Sequence, residues 1–164
     1  MSIIIKNKET LIFDEFVFKC CIGKKGFTKN KVEGDLKTPV GNFNLGNLYF
    51  RSDRKKKPLT NLKLIKISNK MGWCNDIKSE KKYNKPINTN SKLRHEKLFR
   101  NDYKYDFILP IKYNWKKTKI NKGSAIFLHL TKEYKPTAGC IGVSEKDFLI
   151  LIKLIKKNTK IKIL

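Results

Sequence analysis

The chain has 164 residues and a formal net charge of +24 at pH 7, with 40% hydrophobic and 11% aromatic residues. This composition excludes a disordered tail, which would be poorer in apolar and aromatic side chains. The length suits one domain, residues 1–164, with a core that needs neither metal nor disulfides for stability.

Lysine supplies nearly all of the 38 basic residues and is spread over the whole chain. A nucleic-acid module usually clusters arginines and interleaves aromatic side chains, so no specific nucleic-acid partner is expected. Non-specific attraction to an anionic polymer or surface, including cell wall, stays open.

No stretch is apolar enough to span a bilayer, and the start "MSIIIKNKETLIFDEF" lacks the apolar core of a signal peptide. The protein is therefore cytoplasmic, or a mature form, or exported by another route. The sequence does not choose among these.

The elements in chain order indicate mostly strands. "SIIIK" and "TLIFDEFVFKCCIG" are rich in β-branched and aromatic residues, and a glycine-rich loop follows them. Residues 51–104 predict irregular structure with a short helix near "SKLRHEKLFRND". "YDFILPIKYN" and "GSAIFLHL" predict two more strands, and the near-continuous apolar run of the second indicates burial on both faces.

One helix is predicted near the C-terminus, in "SEKDFLILIKLIKKN". Ser144 suits the N-cap, and Glu145 and Asp147 suit the positive end of the helix dipole. Phe148 and Leu151 lie on one face at helical spacing. The alternating "TKIKIL" predicts a last strand, so the fold class is a mainly β domain with one clear helix.

The four cysteines contain no C-x-x-C pair, and no disulfide framework is expected in a chain of this size. Some of these thiols should be buried and inert. His129, Cys140, Cys74 and His95 lack the spacing of zinc ligands, so no metal or other cofactor is predicted. His95, in a polar patch, is interpreted as solvent-facing.

His129 and Cys140 lie at the end of the most apolar predicted strand and eleven positions beyond it. A cysteine attacks carbonyls as a thiolate and needs a base close by, and a loop returning to the sheet would bring the two together. Gly139 allows a sharp turn that leaves the Gly139 and Cys140 amides free to bind an oxyanion. Two packed core residues explain the same pattern equally well.

The acids of "EGD", Glu33 and Asp35, form another possible carboxylate pair. In a glycine-rich loop such acids more often form Asx-type turns or pair with lysine, which is the interpretation favoured here.

The segments "SAIFLHL" and "PTAGCIGVSEKDF" resemble the H…(S/T)-x-G-C pattern of the L,D-transpeptidase catalytic domain, also called the YkuD domain. "KVEGDLKTPVGNF" is similar to the K-x-E-G-D-x-x-T-P-x-G-x-F segment of one branch of that family. "RSDR", "GWCND", "EKLFRNDYKYDF" and two "YN" pairs follow in the same order as in that branch. The resemblance spans about residues 20 to 164.

The resemblance implies an L,D-transpeptidase-like β-sandwich that acts on peptidoglycan stem peptides in the periplasm or cell envelope. It makes Cys140 the nucleophile and His129 the general base, oriented by a backbone carbonyl. A thioester would form with loss of a terminal D-residue; an amine would then make a cross-link, or water would complete a carboxypeptidase reaction. The alternative is a non-catalytic module that binds cell wall, nucleic acid or another anionic polymer.

One departure concerns the residues around the cysteine. Many members read S-H-G-C-x-R, and here Thr137, Ala138 and Gly142 stand in the places of the Ser, the His and the Arg. The missing arginine removes a partner for a substrate carboxylate and leaves the exact substrate open. Candidate replacements, which lie in matched segments, are Arg51, Arg54 and Arg100; Arg51 and Arg100 are the predicted substrate contacts.

Overall fold

The computed structural model describes residues 1–164. Fifteen strands and one helix follow in chain order: β1 (Ser2–Ile5), β2 (Thr10–Phe13), β3 (Phe16–Cys21), β4 (Phe27–Thr28), β5 (Thr38–Pro39), β6 (Gly41–Asn44), β7 (Leu48–Phe50), β8 (Leu64–Lys66), β9 (Met71–Cys74), β10 (Pro86–Asn88), β11 (His95–Lys97), β12 (Phe107–Pro110), β13 (Phe127–Leu130), β14 (Ile141–Val143), α1 (Glu145–Leu154) and β15 (Lys160–Ile163).

Ten of these strands form one curled sheet in the order β6-β15-β1-β2-β3-β14-β13-β12-β7-β8. The main hydrophobic cluster contains 25 buried residues and joins distant strands, for example Ile3 of β1 and Leu48 of β7. Side chains from both halves of the sheet therefore meet in one core. The predicted fold class, mainly β with one helix near the C-terminus, is confirmed.

Burial alternates along two strands in the N-terminal part of this sheet. In β1 and β2 every second side chain is buried, and β2 pairs with β3 as a hairpin across Phe13 and Phe16. In contrast, all four residues of β13 are buried, as its apolar run predicts. A strand buried on both faces gives any polar side chain on it a fixed and largely dry position.

The predicted helix is present as α1. The Ser144 hydroxyl accepts a hydrogen bond from the Asp147 amide at 3.1 Å, so Ser144 is the N-cap, as expected. Phe148, Leu151 and Ile152 are buried, and the Phe148 ring stacks on Phe107 of β12 with centroids 5.7 Å apart. The helix therefore begins directly after β14 and covers the main core.

The helix predicted near "SKLRHEKLFRND" is wrong, because residues His95–Lys97 form β11. This strand pairs antiparallel with β9 in a second sheet of order β10-β9-β11, with Glu96 opposite Trp73. Trp73 is almost fully buried in a second hydrophobic cluster that also holds Tyr105 and Phe127. Pairing with a strand anchored by this cluster outweighs the weak helical preference of the segment.

Three of the four cysteines, Cys20, Cys21 and Cys74, are buried free thiols, which confirms that some thiols are core residues. Cys140 is partly exposed. The single helix is far too short and too polar to cross a bilayer.

Candidate active site

Strands β13 and β14 bring His129 and Cys140 to one face of the sheet. The two strands run parallel, with Leu128 opposite Ile141 and His129 opposite Gly142. In this register Cys140, directly before β14, lies beside Phe127. Since alternate residues face the same side, Cys140 and His129 share a face and are offset by about 7 Å along the strands.

The turn before Cys140 is held by two threonines. Gly139 has φ +139°, and a Cβ atom there would lie 2.8 Å from the carbonyl oxygen of Lys37, so the position requires glycine. Thr38 Oγ1 donates to the Gly139 carbonyl at 2.9 Å, and Thr137 Oγ1 donates to the Cys140 carbonyl at 2.6 Å. The backbone around the thiol is therefore fixed from both sides.

The Cys140 thiol has two backbone partners. Sγ donates to the Ala125 carbonyl at 3.2 Å and accepts from the Phe127 amide at 3.4 Å. Burial, assisted by the nearby Glu96 carboxylate, raises the pKa of Cys140 to about 12. The thiol is thus protonated at neutral pH and needs a base before it can attack a carbonyl.

His129 is only 6% exposed, and burial lowers its pKa to about 4. Its Nδ1 lies 2.9 Å from the Leu130 carbonyl, so Nδ1 carries the hydrogen and donates it. Nε2 is then left with a free lone pair. No hydrogen bond joins His129 to Cys140, since the thiol donates to Ala125 instead.

Both side chains line one cavity of about 550 Å³. Four cations and three anions line it as well: Lys31, Arg100, Lys104, Lys135, Glu33, Glu96 and Glu133. The cavity is thus of mixed charge although the chain is strongly basic. A ligand that carries both an ammonium and a carboxylate group would find partners for both.

The two acids of the "EGD" segment have separate surroundings. Asp35 pairs with Lys31 and accepts from the Val32 and Lys37 amides, which confirms the expected turn with a lysine partner. Glu33 lines the cavity, and its Oε2 accepts from the Tyr83 hydroxyl at 2.5 Å and Ser124 Oγ at 2.6 Å. This position of Glu33 follows from contacts with distant residues and has no sequence signal.

The three candidate arginines also differ. Arg100 lines the cavity, and Asp102 binds its Nε and Nη2, which leaves Nη1 without a hydrogen bond. Arg51 is buried, pairs with Asp53 and lies over the Phe99 ring at 3.5 Å, outside the cavity lining. Arg54 pairs with Asp106 and is also outside it. Of the two predicted substrate contacts, Arg100 is therefore placed at the cavity and Arg51 is not.

The two amides predicted to bind an oxyanion are in different states. The Gly139 amide already donates to Thr137 Oγ1 at 3.0 Å. The Cys140 amide donates to no protein atom. Only the Cys140 amide is therefore free to bind an incoming oxygen without breaking a bond.

His95 lies on β11, where its Nδ1 contacts the Leu93 carbonyl at 2.7 Å, and it does not line the cavity. No group of three or more His, Cys, Asp or Glu side chains is arranged to hold a metal ion.

Two residues that line the cavity, Glu96 and Tyr105, were not predicted from the sequence. Tyr105 is buried with its ring 5.5 Å from that of His129, and its hydroxyl donates to Glu96. Both lie in "EKLFRNDYKYDF", a segment whose spacing gives no hint of a shared site.

The Gly142 position leaves no room for a side chain. A Cβ atom there would lie 2.7 Å from Cys21 Sγ and 3.2 Å from Thr131 Cβ. The arginine common at this place in the related pattern is thus excluded by packing between β14 and β3. The carboxylate partner it would have supplied has to come from elsewhere in the cavity.

Replacing Gly142 with Ala should destabilise the protein by about 1–3 kcal/mol, because the added methyl group overpacks a sheet interior. Chemical denaturation of wild type and variant measures the difference. The double variant Gly142→Ala/Cys21→Ala should lose less stability than the two single variants lose together, because the sulfur that the new methyl group would meet is gone. Fully additive effects would show that Cys21 is not the obstacle.

The fold and the cavity together define a β domain with a cysteine and an oriented histidine on one sheet face. The profile of the L,D-transpeptidase catalytic domain (YkuD) matches residues 2–163, essentially the whole chain. The protein therefore belongs to the YkuD family of L,D-transpeptidase catalytic domains. Searches of curated proteins and of solved structures found no match.

Proposed function

We propose that the protein is a cysteine acyltransferase that acts on peptidoglycan stem peptides. The family acts on peptidoglycan and is generally associated with the cell envelope. The observation that carries the proposal is the placement of Cys140 and His129 on one face of the sheet, in one cavity, with Nε2 of the histidine left as a base.

In the first step the Cys140 thiol turns from the Ala125 carbonyl, and its proton passes to Nε2 of His129. The Phe127 amide donates to the thiolate and stabilises it. The sulfur attacks the carbonyl between the L-centre of a diamino acid and the terminal D-residue. The thiol and the imidazole each bond to a backbone carbonyl in this structure, and catalytic contacts of this kind tighten when substrate binds.

The tetrahedral oxygen receives a hydrogen bond from the free Cys140 amide. The intermediate then collapses to a thioester, and the D-amino acid leaves with the proton held by His129. The amine of a second stem attacks the thioester and forms a cross-link, or water attacks it and completes a carboxypeptidase reaction. Both outcomes regenerate the thiol.

The charges around the cavity fit such a substrate. Arg100 offers one unpaired guanidinium nitrogen to a terminal carboxylate, which takes over the role of the missing arginine. Glu33 uses only one carboxylate oxygen within the protein, and the other is free to accept from an amine. These two side chains would orient the acyl donor or the acceptor.

The test is incubation with purified disaccharide tetrapeptide, followed by mass spectrometry of the products. Release of the terminal D-residue, with either a cross-linked dimer or a tripeptide, is expected, and the ratio of the two distinguishes transfer from hydrolysis. A carbapenem should also add covalently, at Cys140 in a peptide map. Binding to sacculi without any released D-residue and without an adduct would instead indicate a non-catalytic cell-wall module.

A further inference from the structure

Residues 123–125 lead into β13 and lie outside any helix or strand. Two of their backbone amides are held by side chains instead: Gly123 donates to the Tyr83 hydroxyl at 3.0 Å, and Ala125 donates to Asn84 Oδ1 at 3.1 Å. Tyr83 and Asn84 are the first of the two "YN" pairs in the sequence. Two adjacent side chains thus fix a segment that lies 40 and 41 positions further along the chain.

Ala125 combines an unusual backbone conformation with a direct contact to the thiol. Its φ of 52° lies in the left-handed region, which is costly for a residue that has a Cβ atom. Its carbonyl accepts the hydrogen bond from Cys140 Sγ at 3.2 Å. A costly conformation persists only where surrounding bonds hold it, and the Ala125 amide bonds to Asn84 alone. The position of the carbonyl beside the sulfur therefore depends on Asn84.

The Asn84 side chain has a single possible orientation. The residue is 4% exposed, and its Oδ1 accepts from Trp73 Nε1 at 2.9 Å as well as from the Ala125 amide. Its Nδ2 donates to the carbonyls of Tyr113 and Asn114 at 3.0 Å each. Both polar atoms are thus occupied twice, so the amide cannot turn without losing bonds in a buried place.

Tyr83 acts on a different cavity residue, Glu33. Besides accepting from the Gly123 amide, its hydroxyl donates to Glu33 Oε2 at 2.5 Å. Burial and the contact with Glu33 raise the pKa of Tyr83, so the phenol stays protonated and remains a donor. Ser124 Oγ donates to the same carboxylate oxygen at 2.6 Å. Glu33 is therefore held by Oε2, and Oε1 is the atom left for a ligand.

We propose that Tyr83 and Asn84 are positioning residues with separate tasks. Asn84 holds the Ala125 carbonyl where it sets the position of the Cys140 thiol, and Tyr83 holds the Glu33 carboxylate where it accepts an amine of the stem peptide. Neither side chain lines the cavity, so both act through the residues they hold. The inference rests on the proposed function, because it assigns each residue to one group of that site.

The two tasks predict different kinetic effects. A displaced thiol slows the attack on the substrate carbonyl, which lowers kcat. A displaced Glu33 weakens substrate binding in the ground state and the transition state alike, which raises KM. A side chain that serves only stability would produce neither effect once the amount of folded protein is equal.

The test uses the variants Asn84→Gly and Tyr83→Phe. Glycine is chosen because Asn84 has φ 56°, which glycine adopts without strain, so only the side-chain bonds are lost. Phenylalanine removes the Tyr83 hydroxyl and keeps its buried ring. Thermal melting reports whether each variant folds.

The second "YN" pair provides the matched controls, Asn114→Gly and Tyr113→Phe. Asn114 also has φ 56°, and its side chain bonds to backbone groups of Lys119 and Gly123. The Tyr113 hydroxyl donates to the Lys122 carbonyl at 2.6 Å. Both controls therefore remove bonds to the same loop, and neither removes a bond to the residue that holds the thiol or to the cavity carboxylate.

The first readout is the infrared S–H stretching band of Cys140, identified as the band that disappears in Cys140→Ala. In wild type it should lie at the lowered wavenumber of a hydrogen-bonded thiol. In Asn84→Gly it should rise, because the Ala125 carbonyl has moved away from the sulfur. Tyr83→Phe and both controls should keep the wild-type band.

The second readout is the pair of constants kcat and KM for release of the terminal D-residue. Asn84→Gly should lower kcat by about tenfold or more and leave KM within about twofold of wild type. Tyr83→Phe should raise KM by about fivefold with little change in kcat. The two controls should match wild type in both constants.

A folded Asn84→Gly with the wild-type band or the wild-type kcat would overturn the role of Asn84, and an unchanged KM in Tyr83→Phe would overturn that of Tyr83. If Asn84→Gly does not fold, the wild-type band decides, since the wavenumber of a free thiol would show that Ala125 does not hold the sulfur. A wild type that releases no D-residue would overturn the proposed function, whereas a band shift in Asn84→Gly would still show that Asn84 positions the thiol.

Discussion

Replacing Cys140 with Ala should reduce release of the terminal D-residue from a stem peptide by about 10³-fold or more, because no other thiol can form the thioester. Cys20, Cys21 and Cys74 are buried and lie outside the cavity. The measurement is the rate of D-amino acid release by purified wild type and variant at equal concentration.

The matched control is a change of another thiol, Cys20→Ala. This residue lies in β3 and its pKa is raised by burial to about 12, as for Cys140, yet it does not line the cavity. The control should keep wild-type activity once its loss of stability is allowed for. Equal rates for wild type and Cys140→Ala would contradict the proposed nucleophile.

Replacing His129 with Gln should lower the rate by about 10²-fold or more, the usual contribution of a positioned base. Gln offers an amide, with no basic lone pair, in the place of Nε2. The pH dependence of stability tests independently of any substrate whether His129 is buried in its neutral form.

In the folded protein the pKa of His129 is lowered by burial to about 4 from its ordinary 6.5. Between these values the unfolded chain binds a proton that the folded chain does not, so stability is full above pH 6.5 and falls as the pH approaches 4. The loss amounts to about 3 kcal/mol. Urea unfolding at pH 7, 5.5 and 4 should show this loss of stability in wild type and not in His129→Gln. If the free energy of unfolding falls equally with pH in both proteins, the imidazole is not buried in its neutral form.

Local signals were sufficient for much of the fold. The alternation in β1 and β2, the continuous apolar run of β13 and the Ser144 cap of α1 each express a short-range rule, and the structure follows them. The segment around β11 does not follow its local preference, because its conformation depends on pairing with β9, which lies more than twenty positions earlier along the chain. Long-range pairing has no local signature.

The same distinction applies to the site. The placement of His129 and Cys140 near each other follows from a strand, a glycine turn and a return to the sheet, all within one short stretch. Glu33 reaches the cavity from the N-terminal third of the chain, and Glu96 and Tyr105 reach it from one segment in the middle, so composition and spacing could not place them beside the thiol. Arg51, a predicted substrate contact, is instead held by Asp53 and the Arg100 carbonyl.

The place of β15 in the sheet bears on how the protein is made. This strand lies between β6 and β1, with Ile161 paired to Ile3 on one side and Phe43 on the other. Before it arrives, two backbone edges of the nascent chain stay open, and each is a template for aggregation. Completion of the sheet must therefore wait until β15 has been synthesised, and a premature stop near residue 158 should produce an insoluble product rather than a slightly less stable protein.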